Sequence, residues 1–313
     1  MNKLEYEENL HNIRVNNFTQ SLDVTPDPMS FHERVLPLVA CPKCHGALSF
    51  ATRDAKCLSC DFEMRVRDGV ILAREQESGS YFDDVYEVMR VGNRAPGTWE
   101  IFYRQQAEAV ERTLSDGEVV VDVGCGPELP YRKNGAFVIG VDASFHSIRA
   151  NSMADLRVFG SAAALPLRNA VADAIVCFYS IHHMTGQSVI EHREIVRKVF
   201  REFARALKPG RRLMIFDVSP RWPFGAIEEL VWNAARRRLG QSLDMFFWKA
   251  RDLEMLGREM FPKARFSIKR FNGSPLQTFP PIFSKPSFRV PRFLYPFDVN
   301  LYTWQLDGEN KAS

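Results

Sequence analysis

The chain has 313 residues, of which 45% are hydrophobic and 25% charged, with a formal net charge of +3. These ordinary globular proportions exclude a wholly disordered or collagen-like chain, and so small a charge excess makes no case for nucleic acid. No run approaches the ~20 apolar residues that cross a bilayer, and the first residues lack the apolar stretch of a signal peptide. The sequence therefore predicts a cytoplasmic protein without integral membrane association.

In chain order, residues 1–35 read as a polar leader with a turn signal at Pro26-Asp27-Pro28. Residues 36–75 hold four of the six cysteines, between short β-type runs at Ala47–Phe50 and Val70–Leu72. A connector follows over 76–97, in which the aromatic stretch Tyr81–Tyr86 is a candidate lid. From residue 98 to 313 strand and helix signals alternate. Strands are expected at Glu118–Val123, Ala136–Asp142, Leu156–Phe159, Ala174–Tyr179 and Arg212–Asp217. Ile195, Val196, Val199, Phe200, Phe203, Ala204 and Leu207 recur at helical spacing, and Lys208-Pro209-Gly210 ends that helix. Two more strands are expected near Phe266–Phe271 and Asn300–Leu306. Such alternation predicts an α/β fold, a mainly parallel sheet with helices on both faces.

Cys41-Pro-Lys-Cys44 and Cys57-Leu-Ser-Cys60 are two Cys-x-x-Cys pairs separated by twelve residues. Each pair makes a knuckle that points two thiolates inward, and the intervening hairpin joins the knuckles into a tetrahedral four-cysteine site suited to zinc. Iron–sulfur ligation is the alternative. With all four positions filled by protein, the metal is structural. Cys125 and Cys177 stand alone in apolar runs and read as small hydrophobes. The stretch Val39–Leu48, with Cys57–Cys60 and Arg67-Asp68-Gly69-Val70, resembles the small zinc-ribbon activator subunit of tRNA, rRNA and release-factor methyltransferases. In that family the ribbon stabilises its enzyme and does no chemistry.

After the first long strand comes Asp122-Val123-Gly124-Cys125-Gly126-Pro127, and Asp142 stands twenty residues beyond Asp122 at the end of the next strand. The two glycines let backbone turn sharply against a ligand, and a carboxylate at position 142 is placed for ribose hydroxyls. A dinucleotide fingerprint would want glycine where Leu129 stands, and a carboxylate at position 122 suits a ligand bearing a cationic amine. With Ala162–Leu167, Asp173–Val176 and Leu207–Gly210, these residues resemble the class I S-adenosylmethionine-dependent methyltransferases of type 11. The resemblance implies a Rossmann-like seven-stranded methyltransferase sheet preceded by the small zinc-ribbon domain. It implies S-adenosylmethionine as cofactor, with Gly124 and Gly126 against its methionine part, Asp142 at the ribose, and Ser161 and Ala162 at the adenine. Many relatives carry an acid at position 161, so Ser161 implies a weaker or water-mediated contact.

His182 and His183 follow the fourth expected strand, at the sheet edge where ligands sit, and are the candidate bases; structural support of the loop is the competing role. The Asn/Asp-Pro-Pro-Tyr of amine and amide methyltransferases is missing here, whereas His182-His183-Met184-Thr185 is similar to a stretch of the wobble-uridine tRNA enzymes. Arg193, Arg197, Lys198, Arg201, Arg205, Lys208, Arg211 and Arg212, with Arg236–Arg238, form a basic surface that is either an RNA grip or a solvated helix face. Two segments, 219–262 and 274–298, are expected acceptor-site insertions. Trp222, Phe224, Trp232, Phe246, Phe247 and Trp248 fall in the first, and Phe279–Phe283 and Phe288–Phe297 in the second. The sequence thus predicts a methyltransferase acting on an apolar or aromatic small molecule. A tRNA or rRNA acceptor is the alternative, and a non-catalytic cofactor-binding regulatory module a third reading.

Overall fold

The computed structural model describes residues 35–51, 54–74, 98–240, 243, 245–271, 276–278, 289–291 and 296–308. The first 34 residues of the leader, the whole 76–97 connector with its Tyr81–Tyr86 lid, and most of the 274–298 excursion lie outside them.

The cysteine-rich segment folds as an antiparallel meander of four strands, β1 (Leu48–Ala51), β2 (Asp54–Cys57), β3 (Glu63–Arg67) and β4 (Val70–Leu72). Asp68 and Gly69 close the last hairpin with φ of 52° and 69°, the left-handed pair that a two-residue turn of matching twist requires. Among the described residues the next element is α1 (Thr98–Glu111). The five strands expected in the main sheet are β5 (Val119–Val123), β6 (Phe137–Asp142), β7 (Leu156–Phe159), β8 (Ala172–Phe178) and β9 (Leu207–Pro220). Helix α2 (Phe145–Ala150) precedes β7, and α3 (Val189–Ala206) precedes β9. The remainder comprises α4 (Phe224–Leu239), α5 (Ala250–Met260), β10 (Arg265–Phe271), the short pair β11 (Leu276–Thr278) and β12 (Arg289–Pro291), and β13 (Phe297–Gln305).

The main sheet runs β7-β6-β5-β8-β9-β13-β10, parallel from β7 to β9 and antiparallel through β13 and β10. These are the seven strands that the resemblance implies. The chain leaves β5 toward β6 and β7, then returns to the other side of β5 with β8. The carboxyl ends of β5 and β8 therefore flank the crevice at which an open α/β sheet takes its ligands. Strand β9 is longer than its apolar run because β13 pairs along it from Arg212↔Gln305 to Pro220↔Phe297.

The meander joins this sheet. Strand β4 lies parallel to β7, from Val70↔Arg157 to Leu72↔Phe159, and the Ala73 amide donates to the Phe159 carbonyl at 2.9 Å. Nothing in the cysteine spacing announces this pairing, which makes one eleven-stranded sheet of the two parts.

The two sheet faces are covered separately. On one side α3 buries Val196, Val199, Phe200 and Phe203, the i, i+3, i+4, i+7 stripe read from the sequence. Its first turn is capped by Ser188, whose hydroxyl accepts from the Glu191 amide at 3.2 Å. On the other side Ala107 and Val110 of α1 and Ile148 of α2 pack over Val120, Val138 and Val176.

Candidate cofactor and metal sites

Strand β5 delivers Asp122 to the crevice fully buried. One of its carboxylate oxygens, Oδ2, accepts from the Tyr131 hydroxyl at 2.8 Å; the other, Oδ1, has no partner among the described residues. Burial pushes the Asp122 carboxyl up to about 7, against the lowering hydrogen bond from Tyr131 and with a further upward contribution from Asp142. A buried oxygen left without a donor is costly, and a cationic amine arriving there would remove both the deficit and the pKa rise.

Beyond Asp122 the backbone turns at Gly124, with φ of 71°. A Cβ at Gly124 would lie 2.0 Å from the Ser180 hydroxyl, so glycine is demanded by both the turn and the neighbour. Gly126, with φ of 62°, donates its amide to Asp142 Oδ2 at 2.8 Å, and its carbonyl accepts from Asn151 Nδ2 at 2.9 Å. The other Asp142 oxygen accepts from the Ser144 amide at 2.8 Å, where α2 begins. Asp142 is thus held by two backbone amides, one from the glycine turn and one from the start of α2. The structure brings Asp122, Gly124, Gly126 and Asp142 together; sequence reasoning missed Tyr131 and Asn151, whose roles depend on tertiary contact.

Ser161 and Ala162 lie half-buried past β7. The Ser161 hydroxyl accepts from the Ala163 amide at 3.2 Å, a bond within its own turn. This loop is braced by Glu202 of α3, which accepts from the Leu165 amide at 2.9 Å, pairs with Arg205 at 2.7 Å and lies 3.5 Å from His45 of the cysteine knuckle.

His182 and His183 form a single 3-10 turn after β8, their rings 4.2 Å apart. His182 is buried with its Nδ1 2.6 Å from Asp217 Oδ1, and its amide donates to Asp217 Oδ2 at 3.2 Å. Asp217 comes from β9 and is itself buried. With Nδ1–H donating to the carboxylate, the lone pair of the ring lies on Nε2. Sequence reasoning did not single out Asp217 for the site. Its signal was an acid at the carboxyl end of the parallel strand beside the one that carries the histidines.

Among the described aromatics expected to line an acceptor pocket, Phe247 lies 5.5 Å from the His182 ring, and Phe297 packs on Phe247 at 4.7 Å. Trp232, Phe246 and Trp248 are buried in the core instead, stacked edge-on to one another. Trp222 and Phe224 face outward, 88% and 47% exposed. The aromatic run has been divided by helix and loop geometry, which composition cannot reveal. The basic surface also resolves: Arg193, Arg197, Arg205, Lys208, Arg211 and Arg212 are in ion pairs, whereas Lys198, Arg201 and Arg236–Arg238 are in none among the described residues.

At the far edge Cys41, Cys44, Cys57 and Cys60 gather their sulfurs within 4.8 Å of one another, with Cys41–Cys60 at 3.6 Å and Cys44–Cys57 at 3.4 Å. Tetrahedral zinc at ~2.3 Å from each sulfur sets its ligands about 3.8 Å apart, so the four thiols fit that ion. His45 and Asp61, each directly after the second cysteine of its pair, take φ of 58° and turn the two knuckles inward alike.

Residues 121–215 match the family model described as Methyltransferase domain. Methyltransferase GfsG of Streptomyces halstedii is 31% identical over 176 residues, which are 48% of this chain and 60% of that protein, so the chain spans less than two thirds of that relative. Two solved structures are similar at low identity. The geranyl diphosphate C-methyltransferase of Streptomyces coelicolor is 15% identical, covering 74% of this chain and 100% of that one with a TM-score of 0.48. The YcgJ protein of Bacillus subtilis is 16% identical, covering 66% and 100% with a TM-score of 0.45.

Proposed function

We propose that this chain, whose residues 121–215 match the family model described as Methyltransferase domain, transfers a methyl group from S-adenosylmethionine to a hydroxyl of a small apolar or aromatic molecule. One observation carries the donor: the unpartnered Asp122 Oδ1 beside the Gly124–Gly126 turn and the backbone-held Asp142. Asp122 would take the amine, Asp142 the ribose, and the Ser161–Ala162 turn the adenine. When bound, S-adenosylmethionine supplies a sulfonium methyl already activated for in-line displacement.

The chain's own task is then to align the acceptor, which can account for ~7–11 kcal/mol of barrier, and to take its proton. His182 suits the second task. Asp217 fixes the Nδ1–H tautomer, so Nε2 accepts the hydroxyl proton as the new bond forms, and the buried carboxylate stabilises the resulting imidazolium. His183 packs against that ring and braces the turn. The four cysteines would hold zinc with no position open to substrate, so the metal shapes the edge of the fold and takes no part in transfer.

The RNA alternative loses some support because six of the basic residues in its proposed grip, those from Arg193 to Arg212 other than Lys198 and Arg201, are already paired within the protein. Incubating the protein with radiolabelled S-adenosylmethionine and fractionated extract of the source cell tests the reading. Label in the organic-soluble small-molecule fraction is expected; label in nuclease-sensitive RNA overturns the acceptor class, and no label anywhere while cofactor binds favours a regulatory module.

A further inference from the structure

Large exposed apolar side chains are scattered over most of the surface, as at Leu58, Met153 and Ile268, but they concentrate on one element. Helix α4 turns Gly225 and Trp232 into the core. Its opposite face carries Ile227, Leu230 and Val231 at 50%, 84% and 47% exposure, with exposed Ala234 continuing the stripe. Trp222, 88% exposed, stands just before the helix. One turn beyond the stripe come Arg237 and Arg238, exposed and in no ion pair among the described residues.

The acids of α4 are on the other side. Glu229 is bound by Arg193 at 3.0 Å and Lys249 at 2.6 Å, and Glu228 accepts from the Phe247 amide at 3.0 Å. Among the described residues, the outward face of α4 is therefore apolar and basic with no carboxylate of its own. Water does not favour such a stripe, and a contiguous one marks an interaction surface.

We infer that the outward face of α4 docks the protein on an anionic lipid bilayer, with Ile227, Leu230, Val231 and Trp222 entering the interface and Arg237 and Arg238 against the phosphates. No described helix is long and apolar enough to cross a membrane, so this is attachment in the plane of the interface. Charge decides between lipid and a second copy of the chain. A copy would bring to Arg237 and Arg238 a face that likewise holds no acid, whereas an anionic leaflet answers both. The inference stands apart from methyl transfer, and its test reads no transfer.

Flotation of the full chain with phosphatidylcholine vesicles, with and without phosphatidylglycerol, tests it. The bound fraction is expected to rise about tenfold with phosphatidylglycerol and to fall with added salt. The double substitution Ile227→Glu and Leu230→Glu should lower binding about tenfold, because apolar burial drives insertion. Arg237→Ala with Arg238→Ala should abolish the preference for phosphatidylglycerol while leaving the weak binding to phosphatidylcholine. All four side chains are exposed, and unchanged melting curves would show that both variants fold. Failure of the wild-type chain to float with anionic vesicles overturns the inference, as does flotation that neither variant changes. A dimer that Ile227→Glu with Leu230→Glu splits, without any vesicle binding, would instead assign the face to a second copy.

Discussion

The cysteine cluster and the β5–β6 crevice both use left-handed backbone to aim groups at one point, and they differ in what is left over. At the cysteine knuckles His45 and Asp61 turn the chain so that four sulfurs face one another and the set is complete. At the crevice Gly124 and Gly126 turn the chain and leave a buried carboxylate oxygen without a donor. A closed set is suited to holding structure; an open one is suited to binding something that comes and goes.

The largest effect expected from breaking this contrast is at the closed site. Cys57→Ser should reduce bound metal to near zero and lower the stability of the ribbon by several kcal/mol, read as loss of zinc by elemental analysis and an early melting transition. A metal-free variant with wild-type melting would show the cluster to be dispensable. Asp142→Ala should leave bound metal untouched and weaken S-adenosylhomocysteine binding about a hundredfold by calorimetry, since two hydrogen bonds to a charged group are lost, with a modest fall in melting temperature from the Gly126 and Ser144 amides it leaves without their acceptor. Unaltered affinity would remove Asp142 from the cofactor site.

A loss at least as large, but in turnover, is expected of His182→Gln, which should lower kcat by ~10²–10⁴ with cofactor affinity within about twofold, because the base acts on the acceptor only. Asp217→Asn should reproduce part of that loss. Equal falls in cofactor binding would instead make His182 a brace for the crevice.

A smaller and sharper effect follows from Asp122. Its carboxyl stands at about 7 in the unliganded protein because it is buried, and a cationic amine stabilises only the ionised form. Cofactor binding should therefore release a proton, and affinity should fall roughly tenfold between pH 7.5 and pH 6. Asp122→Asn should flatten that profile. The smallest expected change is a gain: Ser161→Asp should tighten cofactor binding a fewfold, since an ionised carboxylate accepts from the adenine amine more strongly than a hydroxyl does.

The same contrast explains what could be read from the chain. The cysteine knuckles and the glycine loop are local: a few residues in sequence fix both the backbone and the groups it presents. The five strands of the parallel sheet were legible for a related reason, since fully buried strands leave continuous apolar runs such as Ala174–Phe178. The acceptor side is built otherwise. His182 acquires Asp217 from a strand 35 residues away, and Trp232 and Phe247 part company because one faces the core and the other the histidines. Aromatic content announced a functional segment there, but the partition of its side chains depends on where α4 lies against the sheet.

The pairing of β4 with β7 sets an order on the making of the molecule. Residue 70 leaves the ribosome long before residue 157, the partner it must hydrogen-bond. During that interval the ribbon has no sheet to lean on, and distant parallel pairing is among the slower steps available to a chain. Metal captured by the four nearby thiols would hold the meander as a finished edge, waiting. The cysteine cluster in this view is a scaffold for synthesis, a template strand kept in shape until the rest of the sheet arrives to extend it.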